Sequence, residues 1–375
     1  MGMWGHFLLY NFATESEPAM KKISVCILAA LAGLAPAYAQ TTVETQNMMH
    51  AQELRLTDEW DKTFAKSDRV DHSKVTFVNR YGITLAADMY KPKNAVGKLA
   101  AIAVSGPFGA VKEQSSGLYA QQLAERGYLT IAFDPSYTGE SGGQPRYVAS
   151  PDINTEDFSA AVDYLVNRED VDPDRVGILG ICGWGGIAIQ AAINDPRIKA
   201  TVASTMYDMT RVNANGYFDA ESSAEARNAK RAALSARRTL DYNNGYYKLA
   251  GGVVDPLPDD APQFVKDYYA YYKTPRGYHA RSLNSNGGWN ATSNLPFMNF
   301  KFFEYADELE NAVLIVHGDK AHSYYFGKDT FAKLTGDNKQ LLTVKGANHT
   351  DLYDRLDIIP FDEIAAFLAN YLISH

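Results

Sequence analysis

Cysteine is nearly absent from this chain: 375 residues carry two, Cys26 and Cys182. Two thiols exclude a disulfide framework. No H-E-x-x-H and no paired cysteines occur, so no metal is expected. No G-x-x-x-x-G-K-[ST] loop occurs either, so neither nucleotide nor other cofactor is indicated. A basic excess is also missing, with Lys+Arg 36 against Asp+Glu 44 and a net charge of −8. That balance argues against nucleic acid as a partner, because phosphate contacts need clustered Lys and Arg. No apolar run reaches the roughly 20 residues that span a bilayer. What is present, 46% hydrophobic and 21% charged residues, is ordinary globular composition. The length accommodates one large domain with an insertion, or two modest ones.

The longest apolar stretch has a different meaning. Lys21 and Lys22 precede the apolar run from Ile23 to Leu34, and Ala37 and Ala39 follow as small residues. This is the tripartite pattern of a secretory leader, with cleavage expected after Ala39 and Met20 as the natural start. A periplasmic or secreted location follows, with no stable membrane anchor after processing. Cleavage removes Cys26 and leaves Cys182 as the one thiol of the mature chain.

Beyond an N-terminal segment over 40–74, strand and helix signals alternate. Val75–Val78 and Ile83–Met89 form a hairpin around Arg80-Tyr-Gly82. Short apolar runs at Leu99–Val104, Leu129–Phe133, Arg175–Ile181 and Ile198–Ser204 read as buried parallel strands. Helical periodicity separates them at Leu118–Arg126, Glu156–Asn167 and Ile187–Ile193. The pattern returns at Ala312–His317 and Leu341–Val344, with helices near Lys328–Leu334 and Phe361–Leu372. Alternation of this kind predicts a mostly parallel, doubly wound α/β sheet covered on both faces. The core spans 75–208 and 301–375. Residues 209–300 hold no apolar strand run and predict an inserted helical lid.

In such sheets the ligand site lies beyond the carboxyl ends of the strands. There Arg175-Val-Gly-Ile-Leu-Gly-Ile-Cys-Gly-Trp-Gly-Gly186 runs from a strand into a Gly-rich turn and a helix. The segment resembles the nucleophile elbow of the α/β-hydrolase superfamily, with cysteine in place of serine. Asp172-Pro-Asp-Arg175, Asp134-Pro-Ser-Tyr-Thr-Gly-Glu-Ser-Gly-Gly143 and Gly346-Ala-Asn-His349 resemble other superfamily segments. Among relatives the thiol resembles dienelactone hydrolase-like enzymes most, and the Gly-Ile-Cys182 context with the tail Gly346–Asp354 looks like a bacterial branch of hydrolases.

The resemblance assigns roles. Cys182 would be the nucleophile and His349 the general base. Trp184 stands two after Cys182, where a small residue is usual, so its bulk would line or close the pocket. The orienting acid is open. Its usual position is occupied by Ala321, leaving Asp208 at the end of one strand and Asp319 in the loop after another. The residue after the nucleophile, Gly183, would give one oxyanion donor. Pro107 has no N–H, so Phe108 or Gly109 would give the second. Tyr207, His279 and His322 are expected pocket residues, with lid aromatics such as Tyr268 and Trp289 beside them. The helix start after Cys182 would favour a reactive thiolate.

Two functions fit. One is an exported hydrolase attacking an ester, thioester or lactone of a small-molecule substrate by a Cys-His-Asp mechanism. The other is a degenerate binding protein on the same scaffold, holding a small apolar or carboxylate ligand. The oligomeric state is not readable.

Overall fold

The structure is a computed structural model that describes residues 50–373. The expected leader lies outside them. Ten strands form within this range. They are β1 (Val70–Val78), β2 (Thr84–Pro92), β3 (Leu99–Ser105), β4 (Leu129–Phe133), β5 (Val171–Ile181), β6 (Ala200–Ser204), β7 (Leu249–Gly251), β8 (Gly288–Asn290), β9 (Ala312–Gly318) and β10 (Lys339–Val344). Eight build one sheet in the order β1-β2-β4-β3-β5-β6-β9-β10. β1 pairs antiparallel with β2, β2 antiparallel with β4, and the remaining pairs are parallel.

The sequence dictates this order locally. Asn79 closes the β1–β2 turn, its N–H donating to the Ile83 carbonyl at 3.0 Å. Its side-chain oxygen accepts from the N–H groups of Tyr81 and Ile83. The hairpin runs longer than its apolar runs suggest, from Val70 paired with Pro92 to Val78 paired with Thr84. β4 is fully buried, and β3 and β5 are buried along their central and C-terminal parts. The buried parts of all three read in sequence as largely apolar runs because helices cover both faces.

Helix α1 (Ser115–Ala124) packs against β2, β3 and β4, and α2 (Pro151–Val166) against β5 and against α3 (Gly183–Asn194). After β6 the chain forms α4 (Met209–Asn215), α5 (Ala224–Asn244), α6 (Gln263–Tyr272) and α7 (Asn294–Asn299) before returning to β9. Helix α8 (Tyr324–Phe331), the short α9 (Asp351–Asp354) and α10 (Phe361–Leu372) complete the core.

The segment between β6 and β9 is therefore mostly helical, with one addition. β7 and β8 pair antiparallel inside it, from Leu249 with Asn290 to Gly251 with Gly288. Strands of three residues carry too little pattern to read in sequence. Helix α5 buries only Asp241, which explains its polar, Arg-rich composition. None of the described helices is long and apolar enough to cross a membrane.

The N-terminal stretch is tied to the sheet by charge. Lys62 Nζ lies 2.8 Å from Asp88 Oδ2, with both side chains buried. Nearby, the buried ammonium of Lys112 contacts Glu113 (2.6 Å), Asp134 (2.9 Å) and Glu140 (2.6 Å). This cation explains how three carboxylates sit so close together out of water.

Candidate active site

β5 ends at Ile181, and the chain turns at Cys182 with φ 59° and ψ −127°. A non-glycine residue in that region stores strain of order 1–3 kcal/mol. Three backbone hydrogen bonds hold it there. The Cys182 N–H donates to Ser204 O (2.9 Å), and its carbonyl accepts from Gly185 (2.9 Å) and Tyr207 (3.0 Å). The turn is sharp enough that a Cβ on Gly180 would lie 2.0 Å from the Trp184 carbonyl oxygen.

The structure corrects the expectation for Trp184. Its ring is 1% exposed and lies under the elbow, edge-on to Phe133 (5.6 Å) and Phe158 (5.4 Å). It does not line the main cavity. The room that a small residue would have given comes from Gly106, whose φ is +103°. A Cβ there would meet the Trp184 Cβ at 2.8 Å.

Cys182 opens into a cavity of about 980 Å³ lined by Phe108, Tyr207, Tyr268, Trp289 and Tyr353. Among the described residues, the only charged ones lining it are Glu221 and Lys230, and they pair with each other. Burial pushes the Cys182 thiol up. Groups that can donate to a thiolate work against that: the Tyr353 hydroxyl first, then the N–H of Gly183, the N–H of Phe108 and the Tyr268 hydroxyl. The Gly183 N–H is free because it opens α3. The Phe108 peptide is fixed by its own carbonyl, which accepts from Asn284 Nδ2 at 2.8 Å. The group is thus a thiol at neutral pH, not the thiolate expected from the helix terminus alone. Desolvation by burial outweighs the dipole.

His349 follows β10 in a loop pinned by two carboxylates. Asp319 Oδ1 accepts from the Gly346 N–H (2.7 Å) and Asp351 Oδ2 from the Asn348 N–H (2.9 Å). Nε2 of His349 lies 3.0 Å from the Tyr353 hydroxyl. Its Nδ1 lies 2.6 Å from Ser323 Oγ and 2.9 Å from Thr205 Oγ1. Tyr353 therefore stands between the thiol and the imidazole, four residues after His349 and on the same side of the turn into α9. Burial holds His349 well below the usual histidine range, and His322 and His317 push the same way.

Neither expected acid reaches His349. Asp208 is the N-cap of α4, accepting from the N–H groups of Thr210 (3.0 Å) and Arg211 (2.9 Å) and from the Thr210 hydroxyl (2.6 Å). Asp319 is engaged with the histidine loop as described. Among the described residues, the groups hydrogen-bonded to the His349 ring are hydroxyls only.

A second chain reaches the sulfur from the other side. Tyr268 contacts the Tyr207 hydroxyl at 2.8 Å, and Tyr207 in turn bonds His322 Nε2. Burial lowers His322 to about 3. His279 is not part of the site. It is buried beside Asp61, 3.5 Å from its carboxylate, and does not line the cavity. Tyr353, Thr205 and Ser323 escaped the sequence reading. The i, i+4 spacing of His349 and Tyr353 was the one available signal.

Sheet order, elbow and a histidine loop beyond the last parallel strand define an α/β-hydrolase. The chain belongs to the X-Pro dipeptidyl-peptidase (S15) family, which matches residues 81–350. It is 53% identical to uncharacterized protein PA2218 of Pseudomonas aeruginosa, over 92% of each chain. The crystal structure of that relative superposes with a TM-score of 0.83, at 54% identity, covering 86% of this chain and 100% of the other. The α/β hydrolase GrgF of Penicillium sp. shares the fold at a TM-score of 0.66 and 17% identity, covering 80% of this chain and 99% of its own. A shorter match is to thiohydrolase aneE of Aspergillus aculeatus, 32% identical over 35% of this chain and 41% of that protein. Together these make the protein an enzyme, a hydrolase or acyl transferase.

Proposed function

We propose that the protein cleaves ester or thioester carbonyls through an acyl-enzyme on Cys182, and that it works outside the cytoplasm after removal of the leader ending at Ala39. The observation that carries this reading is the set of groups around one sulfur. Cys182 sits on a strained elbow at a cavity wall, with two backbone N–H groups and the Tyr353 hydroxyl directed at it.

Each group has a task. Cys182 attacks the carbonyl carbon. The N–H groups of Gly183 and Phe108 receive the oxyanion, and such preorganised donors are worth about 10²- to 10³-fold each. With Nδ1 protonated toward Ser323 and Thr205, Nε2 of His349 accepts a proton through Tyr353. The apolar, aromatic cavity holds the acyl group. A thiol nucleophile and the partial match to a protein named a thiohydrolase support a thioester among the substrates.

Peptide cleavage fits the site less well. Release of dipeptides from a free amino terminus needs a carboxylate to hold the ammonium group. Among the described residues, the one carboxylate lining the cavity, Glu221, is engaged by Lys230. A pure binding protein fits less well too, since binding alone requires neither the strained elbow nor donors focused on a sulfur.

The test is turnover of p-nitrophenyl esters and acyl thioesters by wild type and Cys182→Ala. Wild-type turnover abolished in the variant supports the reading. Equal rates in the two proteins overturn it.

A further inference from the structure

We propose that this site is selective for the leaving group, accepting thioesters and aryl esters and rejecting alkyl esters, alkyl lactones and amides, because His349 is held by hydroxyls where an orienting carboxylate would stand. The proposal rests on the acyl-enzyme reading above and deepens it.

The geometry is the starting point. Nδ1 of His349 meets Ser323 Oγ at 2.6 Å and Thr205 Oγ1 at 2.9 Å, while Nε2 meets Tyr353. Asp208 caps α4, and Asp319 and Asp351 pin the histidine loop. His322 and His317 lie near, with ring centres 5.3 Å and 6.5 Å away. A proton can pass through such a site, but a positive charge cannot rest in it. An imidazolium here would be buried, unpaired and next to two more imidazoles. The neutral state is favoured for the same reasons.

The consequence follows from the atoms. In acylation the Cys182 Sγ–C bond forms as the thiol proton moves to the Tyr353 oxygen and the Tyr353 proton moves to Nε2. With a thioester donor, the C–S bond breaks with its electron pair on the departing sulfur. The proton returns along the same path to that thiolate. Departing and attacking sulfur have similar basicity, so the imidazolium is only transient. Water or another nucleophile then takes the acyl group, breaking the Sγ–C bond and restoring the thiol.

With an alkyl ester or amide, the departing oxygen or nitrogen is far more basic than the sulfur of Cys182. It leaves only if a proton is already delivered. That requires an imidazolium held long enough to act as general acid, and among the described residues no carboxylate bonds the ring. The tetrahedral adduct collapses backward, expelling Cys182 and regenerating substrate.

Thr205 sharpens the argument. It directly follows β6 with φ 44°, a region that β-branched residues rarely adopt and that Asp and Asn tolerate better. A strained threonine facing the imidazole is a position where an aspartate would fit the backbone and reach Nδ1.

The experiment gives the full-length processed enzyme one acyl group, butyryl, on four leaving groups: a simple alkyl thiol, p-nitrophenol, ethanol and p-nitroaniline. Acylation of Cys182 is followed in single turnovers by intact mass. The thioester and aryl ester should acylate. The ethyl ester and anilide should be slower by roughly 10²- to 10⁴-fold, the range general acid catalysis contributes. In Thr205→Asp the ethyl ester should gain on the p-nitrophenyl ester by about tenfold or more, and Ser323→Asp provides an independent second variant. Ethyl ester and thioester acylating wild-type Cys182 at similar rates would overturn the inference. No adduct with any of the four donors would instead overturn the acyl-enzyme reading on which it stands.

Discussion

Tyr353→Phe isolates the step on which catalysis depends. The hydroxyl is 3.0 Å from His349 Nε2 and reaches the Cys182 sulfur, so in the proposed mechanism it bridges nucleophile and base. Its ring packs against Tyr271 (5.0 Å), Tyr272 (6.1 Å) and His349 (5.3 Å), all contacts that phenylalanine keeps. The fold should therefore survive, with a penalty of about 1–3 kcal/mol for leaving the buried Nε2 unpartnered. Catalysis should fall much further. Loss of proton transfer through a positioned side chain removes about 10²- to 10⁴-fold, or roughly 3–5 kcal/mol of barrier. Butyryl thioester hydrolysis, with circular dichroism and a denaturation curve on the same samples, separates the two effects. A folded Tyr353→Phe enzyme within about threefold of wild-type kcat would refute the bridge and require direct Cys182–His349 contact in the working state.

Three further outcomes are expected. Trp184→Ala should destabilise the protein by about 3–5 kcal/mol, as for other buried aromatic truncations, because the ring fills the core under the elbow; an unchanged denaturation midpoint would place the ring elsewhere. Cys182 should react with iodoacetamide more slowly than free cysteine at neutral pH and accelerate as pH rises into the alkaline range, because burial pushes the thiol up; faster-than-free alkylation at pH 7 would show a resting thiolate. Stability should fall as pH drops below about 6.5, because His317 and His322 are lowered to about 4 and 3 by burial and His349 is lowered too. Unfolding then takes up protons that the native state excludes, at up to roughly 3 kcal/mol for His317 alone by pH 4. Asp157, raised by burial to about 6, works in the opposite direction between about pH 6 and 4 with a single proton. A melting temperature that is flat or rising from pH 7 to 5 would contradict this balance.

The sheet was legible because its buried strands are short, unbroken apolar runs and its helices carry a different period. The elbow was legible because Gly180-Ile-Cys182 sits where β5 must end, and His349 because Gly346-Ala-Asn348 marks the loop after β10. What stayed hidden depends on contacts between distant segments. Trp184 turns inward because Gly106, 78 residues earlier, gives way, and because Phe133 and Phe158 receive the ring. Asp208 is one of two acid candidates in the sequence, but Asp-Met-Thr before a helix is also an N-cap signal, and the cap is what the structure shows. Ser323 and Thr205 lie 118 residues apart and meet only at the imidazole. The state of the thiol follows from its burial among segments distant in sequence, and an isolated helix terminus gives the wrong sign.

One measurement tests the central claim most directly: intact and peptide mass analysis of the enzyme quenched during turnover of a butyryl thioester. The account predicts a butyryl adduct on the Cys182 peptide that accumulates, decays as substrate is exhausted and is absent from Cys182→Ala. Full turnover with Cys182 unmodified, or with the acyl group on another residue, would contradict it.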